Sequence, residues 1–214
     1  MTGLSQTQYV LGLLTYRNPQ TPIADFITAD VLISAIISKD YDTVCFLYNV
    51  SGIVGSNDFG IWPLHAAAYV GYLDICQIFF ASHEIAGLDV ASTFSPLHFA
   101  CFHANLEAIR FLITKGANVN AVGKYCYPHK DRRSTEILEV LDGSRYARPF
   151  EILNRQGRVG ENPECVTPCA ILLIHAGATP DEGTVSIAAT SWEVTLLSEL
   201  LGTGANPNGN NPLG

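Results

Sequence analysis

The chain has 214 residues, 48% of them hydrophobic and 15% charged, with six cysteines and a formal net charge of −8. That content belongs to a folding chain of one ordinary domain or one short solenoid, and the acidic balance argues against nucleic acid as the main partner. No apolar run is long enough to enter a membrane (even Ile171–Ala176 stops at Gly177), and no basic residue before Arg17 suggests a secretory leader. Six cysteines in a chain this long read as buried thiols in a reducing, intracellular and cytoplasmic setting.

Residues 4–16 read as a short helix ended by Asn18-Pro19, so residues 1–27 are expected to form an N-terminal cap and linker. Asp30 through Tyr48 follows as an apolar, helix-period stretch. Slid by 31 residues, its Ala35, Tyr41, Val44, Cys45 and Leu47 fall on Ala66, Tyr72, Ile75, Cys76 and Ile78. This is the reading of a degenerate first repeat, as a terminal unit tends to be.

The clearest repetition comes next. Trp62-Pro63-Leu64-His65-Ala66-Ala67 returns as Ser95-Pro96-Leu97-His98-Phe99-Ala100, a period of 33 residues. The second copy continues through Leu106, Ile109, Phe111, Leu112 and Ile113 to Gly116-Ala117-Asn118-Val119-Asn120. Pro63 and Pro96 suit the first helical position, where the missing N–H costs nothing. Ser95 is expected to cap its helix by accepting from an orphan backbone N–H, which Trp62 cannot do. The alanines let a second helix lie close, and Gly116 suits a left-handed helix end. One such helix pair cannot bury its own apolar side, so it must stack on neighbours.

Pro-Leu-His-x-Ala opening one helix and Gly-Ala-Asn-x-Asn closing another resembles the ankyrin-repeat family. The resemblance implies an all-α solenoid of about five helix-turn-helix units, with repeats 1–3 in residues 28–123. It also implies a structural role for His65 and His98, which would brace neighbouring loops. Asn120 resembles the hairpin asparagine that intracellular asparaginyl hydroxylases modify in this family.

The pattern is lost from Lys124 and returns near Cys165, so residues 124–163 are read as an insertion with degenerate parts of a fourth repeat. Gly116 to Gly177 spans 61 residues, about 28 more than one period. Ser134–Gly143 has an N-cap candidate, an apolar run and a closing glycine, and is expected to be a helix; whether it is the fourth repeat's first helix stays open. From Lys124 to Arg158 the net charge is +3, leaving −11 for the remainder. A basic module thus interrupts an acidic scaffold. Residues 164–214 hold repeats 4–5. Shifted by 88, Val185, Ala188, Val194, Leu197, Leu200 and Leu201 fall on Leu97, Ala100, Leu106, Ile109, Leu112 and Ile113. The hairpin after Gly177 is expected to be clipped, and Asn211-Pro212-Leu213 looks like the opening of a further, truncated repeat.

No nucleophile elbow, phosphate loop or paired-carboxylate motif is found, so no enzymatic activity and no cofactor are expected. Cys126-x-x-His129 with Cys165 and Cys169 has zinc-like ligand types, but Cys169 falls on a packing helix and the spacing is too long, so no metal is assigned. Arg132, Arg133, Arg145 and Arg148 read as a solvated basic surface. The positions the family pattern leaves free are Asp58, Phe59, Ile61, Tyr69 and Val70 in one repeat, and Ser92, Phe94, Phe102 and His103 in the next. Four of the nine are Phe or Tyr where polar groups would serve an isolated scaffold. These residues are expected to form a partner-binding surface at hairpin tips and on the first-helix face. The function expected is a monomeric scaffold or adaptor that recognises a protein partner; the alternative is a targeting array within a longer enzyme or effector.

Overall fold

The structure is a computed structural model and describes residues 27–52, 55–57, 60–82, 94–124, 146–159, 163–180, 185, 188 and 194–204. The helices come in antiparallel pairs. They are α1 (Ala29–Ile37) with α2 (Tyr41–Ser51), α3 (Pro63–Val70) with α4 (Leu73–Ser82), and α5 (Pro96–Phe102) with α6 (Leu106–Thr114). A short hairpin of β1 (Gly123–Lys124) and β2 (Tyr146–Ala147) follows. Then come α7 (Pro149–Val159), α8 (Pro163–His175) and α9 (Val194–Gly202). First helices α1, α3, α5 and α7 pack in succession, as do second helices α4, α6, α8 and α9, which makes an all-α repeat solenoid. Pro63 and Pro96 stand at the helix starts expected of them. The core runs along the stack through Leu32, Ile36, Leu47, Ile75, Leu97, Ile109, Leu112, Phe150, Leu153, Leu173 and Leu200, all fully buried. Burying each such side chain contributes about 1.5–3 kcal/mol.

Backbone hydrogen bonds correct the register of the first repeat. Asp40 N–H donates to Ala35 O, Tyr72 N–H to Ala67 O, and Asn105 N–H to Ala100 O. Asp40 therefore matches Tyr72 at a shift of 32, one more than the 31 read from the sequence. Buried Thr43, Val44 and Leu47 accordingly match buried Ile75, Cys76 and Phe79. Val44-Cys45-Phe46-Leu47 is apolar at four successive positions, so the pattern alone barely separates the two registers. The left-handed residue between the paired helices then falls at one position in all three repeats: Lys39 (φ +56°), Gly71 (φ +69°) and Ala104 (φ +50°).

The fourth repeat begins at Arg148, not near Cys165. Pro149 is the first residue of α7, and Glu151 Oε2 accepts the Arg148 N–H at 3.2 Å. Pro96 to Pro149 spans 53 residues, 20 beyond the period. In the sequence this surplus falls between two paired strands, with Gly123 opposite Ala147 and Lys124 opposite Tyr146. The other eight surplus residues lengthen the helices: α7 has 11 residues against 7 in α5, and α8 has 13 against 9 in α6. So α7 is the first helix of this repeat, and the helix expected at 134–143 lies outside the described residues. The last repeat keeps its expected register. Val185 and Ala188 are helical and buried, α9 begins at Val194, and Gly204 (φ +83°) matches Gly116 (φ +89°). The expected capping helix, the 181–184 turn and Asn211-Pro212-Leu213 also fall outside the described residues.

Candidate functional site

Of the nine positions expected to face a partner, Asp58, Phe59 and Ser92 lie outside the described residues. Ile61 and Phe94 are buried, 3% and 4% exposed, and do not belong to an exposed surface. The Asn57 side chain accepts the Ile61 N–H at 2.9 Å, while the Asn57 N–H returns to Ile61 O, and this tight loop turns Ile61 into the core. Phe94 lies edge-on to the His98 ring, with centroids 5.1 Å apart, where the hairpin covers it. Ile61 is thus turned inward by its own loop, and Phe94 is covered by the hairpin that follows.

Tyr69, Val70, Phe102 and His103 are brought together at the C-terminal ends of α3 and α5. Tyr69, Val70 and Phe102 are half-buried and His103 is exposed. The Tyr69 and Phe102 rings stack at 6.0 Å and 16° between planes. His103 meets Tyr69 edge-on at 4.4 Å and Phe102 at 5.0 Å, so each ring touches the other two. Offset and edge-to-face contacts of this kind suit the ring quadrupoles. The cluster is held from below by Asn105, which the sequence reading missed. Its Nδ2 donates to Ala68 O at 3.1 Å and Tyr69 O at 2.7 Å, closing the carbonyl end of α3 from the neighbouring repeat. An asparagine just before an apolar-periodic run is an N-cap signal; here the side chain serves α3 of the preceding repeat instead.

The two motif histidines secure the loops that carry the exposed positions. His65 Nδ1 accepts the Trp62 N–H at 2.8 Å, and His98 Nδ1 accepts the Ser95 N–H at 3.0 Å. The Ser95 hydroxyl lies 2.8 Å from the same His98 nitrogen. His98 Nε2 meets the Ala121 and Ala147 carbonyls at 3.1 and 3.0 Å. Carbonyls only accept, so Nε2 carries the proton and the ring is neutral. Burial is the main cause that lowers His65 to about 3 and His98 to about 4. For His65 the second cause is the neighbouring His98.

Asn120 joins the hairpin to the end of the fourth repeat. Its Nδ2 donates to Gly177 O at 2.8 Å, and its Oδ1 accepts from Thr179 N and Thr179 Oγ1 at 2.8 and 3.0 Å. Arg148 Nη1 donates to the same threonine hydroxyl at 3.0 Å. Cys169 is buried, its thiol donating to Ala104 O at 3.3 Å and pushed up to about 12 mainly by burial, whereas Cys165 is exposed. Cys126 and His129, the other two residues of the zinc-like set, lie outside the described residues. Among the described residues no group of three or more His, Cys, Asp or Glu side chains is placed to hold a metal ion. Nor is any described helix long and apolar enough to cross a membrane.

Comparison with known proteins agrees with this geometry. Residues 32–122 match the family model for ankyrin repeats, in three copies. Over 62 residues the chain is 38% identical to alpha-latrocrustotoxin-Lt1a of Latrodectus tredecimguttatus, a stretch covering 28% of this chain and 4% of the toxin. An ankyrin repeat domain from Acinetobacter baumannii superposes with a TM-score of 0.63 at 19% identity, covering 94% of this chain and 95% of that one. Residues 32–122 thus match ankyrin repeats, and the described residues have the ankyrin-repeat fold.

Proposed function

We propose that the chain is a protein-recognition module that presents the first-helix face around Tyr69, Val70, Phe102 and His103 to a partner protein. The observation that carries this reading is the triangle of rings on successive repeats, with contacts of 4.4–6.0 Å and His103 exposed. Aromatic side chains held rigidly in this way lose little freedom on binding and are typical anchors of an interface. Tyr69, Val70 and Phe102 are partly buried against the core and keep exposed surface for a partner to cover. The buried, protonated thiols of Cys76, Cys101 and Cys169 go with a reducing intracellular setting.

The test is capture of partners by the intact chain and by the Tyr69→Ala, Phe102→Ala double variant, with thermal unfolding measured in parallel. The expected outcome is at least about a thirtyfold loss of capture, the size of one interface anchor of about 2 kcal/mol, with cooperative unfolding retained. Undiminished capture would remove the reading. A second reading, an array that targets a longer enzyme or effector, is favoured by the match to a short stretch of a much longer toxin. A longer open reading frame with a catalytic segment would support it.

A further inference from the structure

We propose that the outer face of α2, with the start of α4 beside it, binds a partner segment that is both apolar and basic. The proposal rests on the reading of the chain as a protein-recognition module and adds a second contact surface with its own chemistry.

Helix periodicity creates this face. Thr43, Val44 and Leu47 turn into the stack and are buried, which leaves two adjacent rows outside. One row is Tyr41, Cys45 and Asn49; the other is Asp42, Phe46 and Val50. Tyr41 and Phe46 are each 42% exposed, and Val50 is 36% exposed. Three of the seven large apolar side chains exposed among the described residues therefore lie on this one helix of 11 residues. The solvent face of such a helix is ordinarily polar, so its own packing does not ask for them.

The face is also preorganised against the next repeat. Tyr41 leans on Tyr72 with centroids 6.1 Å apart and 49° between planes, and Tyr48 meets Phe79 edge-on at 5.2 Å. A surface fixed in this way loses little freedom when a ligand covers it.

Charge decides the occupant. Asp42 is the only charged residue of α2 and Asp74 the only one of α4, and both are exposed. The shift of 32 that matches Asp40 to Tyr72 also puts Asp42 on Asp74, so the two carboxylates hold equivalent places in neighbouring repeats. Each suits the positive start of its helix, which accounts for a carboxylate but not for the exposed rings beside it. Burial first, then Asp74, Cys45, Asp42 and Asp40, raise the Tyr72 hydroxyl above its ordinary range. Among the described residues of the first two repeats, Lys39 is the one lysine or arginine, against Asp30, Asp40, Asp42 and Asp74. Asp30 accepts from Asn57, and Asp40 caps α2 through Thr43, which leaves Asp42 and Asp74 to a ligand. An acidic segment is repelled here and a basic one is drawn in. Its apolar side chains would lie on Phe46 and Val50, while its cations meet the two carboxylates and the tyrosine rings.

The experiment is selection of a random peptide library on phage against the intact chain, with soluble Phe46→Ser, Val50→Ser variant in excess as competitor. Peptides of about 12 residues are long enough to span α2 as a helix. Only phage that need this face survive the competitor. The expected survivors are rich in Lys and Arg, with large apolar residues among them. The affinity of a synthetic survivor should fall at least about fivefold with Asp42→Asn, Asp74→Asn, the size of two exposed ion pairs, and should weaken as salt is raised. The Tyr69→Ala, Phe102→Ala variant should bind it unchanged. Survivors without basic enrichment would overturn the proposal, as would survivors indifferent to Asp42→Asn, Asp74→Asn. An absence of survivors would do the same, the face then being filled by a second copy or by another segment of this chain. Survivors lost with Tyr69→Ala, Phe102→Ala would overturn it by making the two surfaces one. Every one of these failures leaves the recognition module standing, because the competitor keeps Tyr69 and Phe102. Circular dichroism checks that the variants fold, and the Asp42→Asn, Asp74→Asn chain replaces the serine variant as competitor if that one does not.

Discussion

Gly123→Ala tests whether the hairpin is held to the helix stack as tightly as the geometry implies. A Cβ at Gly123 would stand inside contact distance of Phe94 Cδ1, 2.8 Å from Phe94 Cε1 and 3.0 Å from His98 Nε2. Phe94 is buried and sits edge-on to His98, so its ring has little room to swing away. Overpacking of this kind costs about 1–3 kcal/mol. If the hairpin retreats instead, His98 loses its bonds to the Ala121 and Ala147 carbonyls, at about 0.5–1.5 kcal/mol each. The expected loss is therefore about 2–3 kcal/mol by urea denaturation at neutral pH. Gly116→Ala is the control, because Gly116 has φ +89° and nothing within 4 Å of its added Cβ. Only backbone strain operates there, and after the gain from a stiffer unfolded chain it leaves about 1 kcal/mol. Trimming the obstacle with Phe94→Leu should recover part of the Gly123→Ala loss, a coupling of about 1 kcal/mol or more. A loss below about 0.5 kcal/mol, the level of an ordinary surface change, would refute the reasoning. So would simple additivity with Phe94→Leu.

Three further outcomes follow from the same contacts. Lys39→Gly should raise stability by about 0.5–1 kcal/mol, since Lys39 is exposed with φ +56° and glycine removes the left-handed penalty; a lower urea midpoint would contradict this. Asn105→Ala should cost about 1–3 kcal/mol, because the Ala68 and Tyr69 carbonyls lose their shared donor; amide exchange at the end of α3 should quicken, and unchanged exchange would count against the clamp. Acid should weaken the fold through His65 and His98, which are lowered to about 3 and about 4 in the folded chain against 6.5 unfolded. Protons then bind the unfolded state first, so the stabilisation is complete above pH 6.5 and is lost as pH falls towards 4 and 3. Each histidine contributes a slope of up to about 1.4 kcal/mol per pH unit. His98→Gln should reduce the slope between pH 5 and 6 by about one proton, and an unchanged slope would show that His98 is not buried neutral.

The sequence by itself determined what is periodic. Two Pro-Leu-His segments 33 residues apart, and an 88-residue shift that maps Val194 onto Leu106, fixed the helix pairs and the stacking that hides their apolar sides. These signals are local, because helix starts, small residues and closing glycines act within one turn of chain. The fourth repeat was not legible because Glu151 stands where His65 and His98 stand in their repeats, taking over the bond to the N-cap amide by different chemistry. Tertiary structure alone decided which free-looking positions stay exposed. Ile61 is turned in by Asn57, Phe94 is covered by the returning hairpin, and Tyr69 meets Phe102 and His103 across repeats. Asn105 and Asn120 reach partners 36 and 57 residues away in the chain, at Tyr69 and Gly177. A repeat pattern specifies the backbone that brings such groups together, but whether a side chain is covered depends on what the next unit places over it.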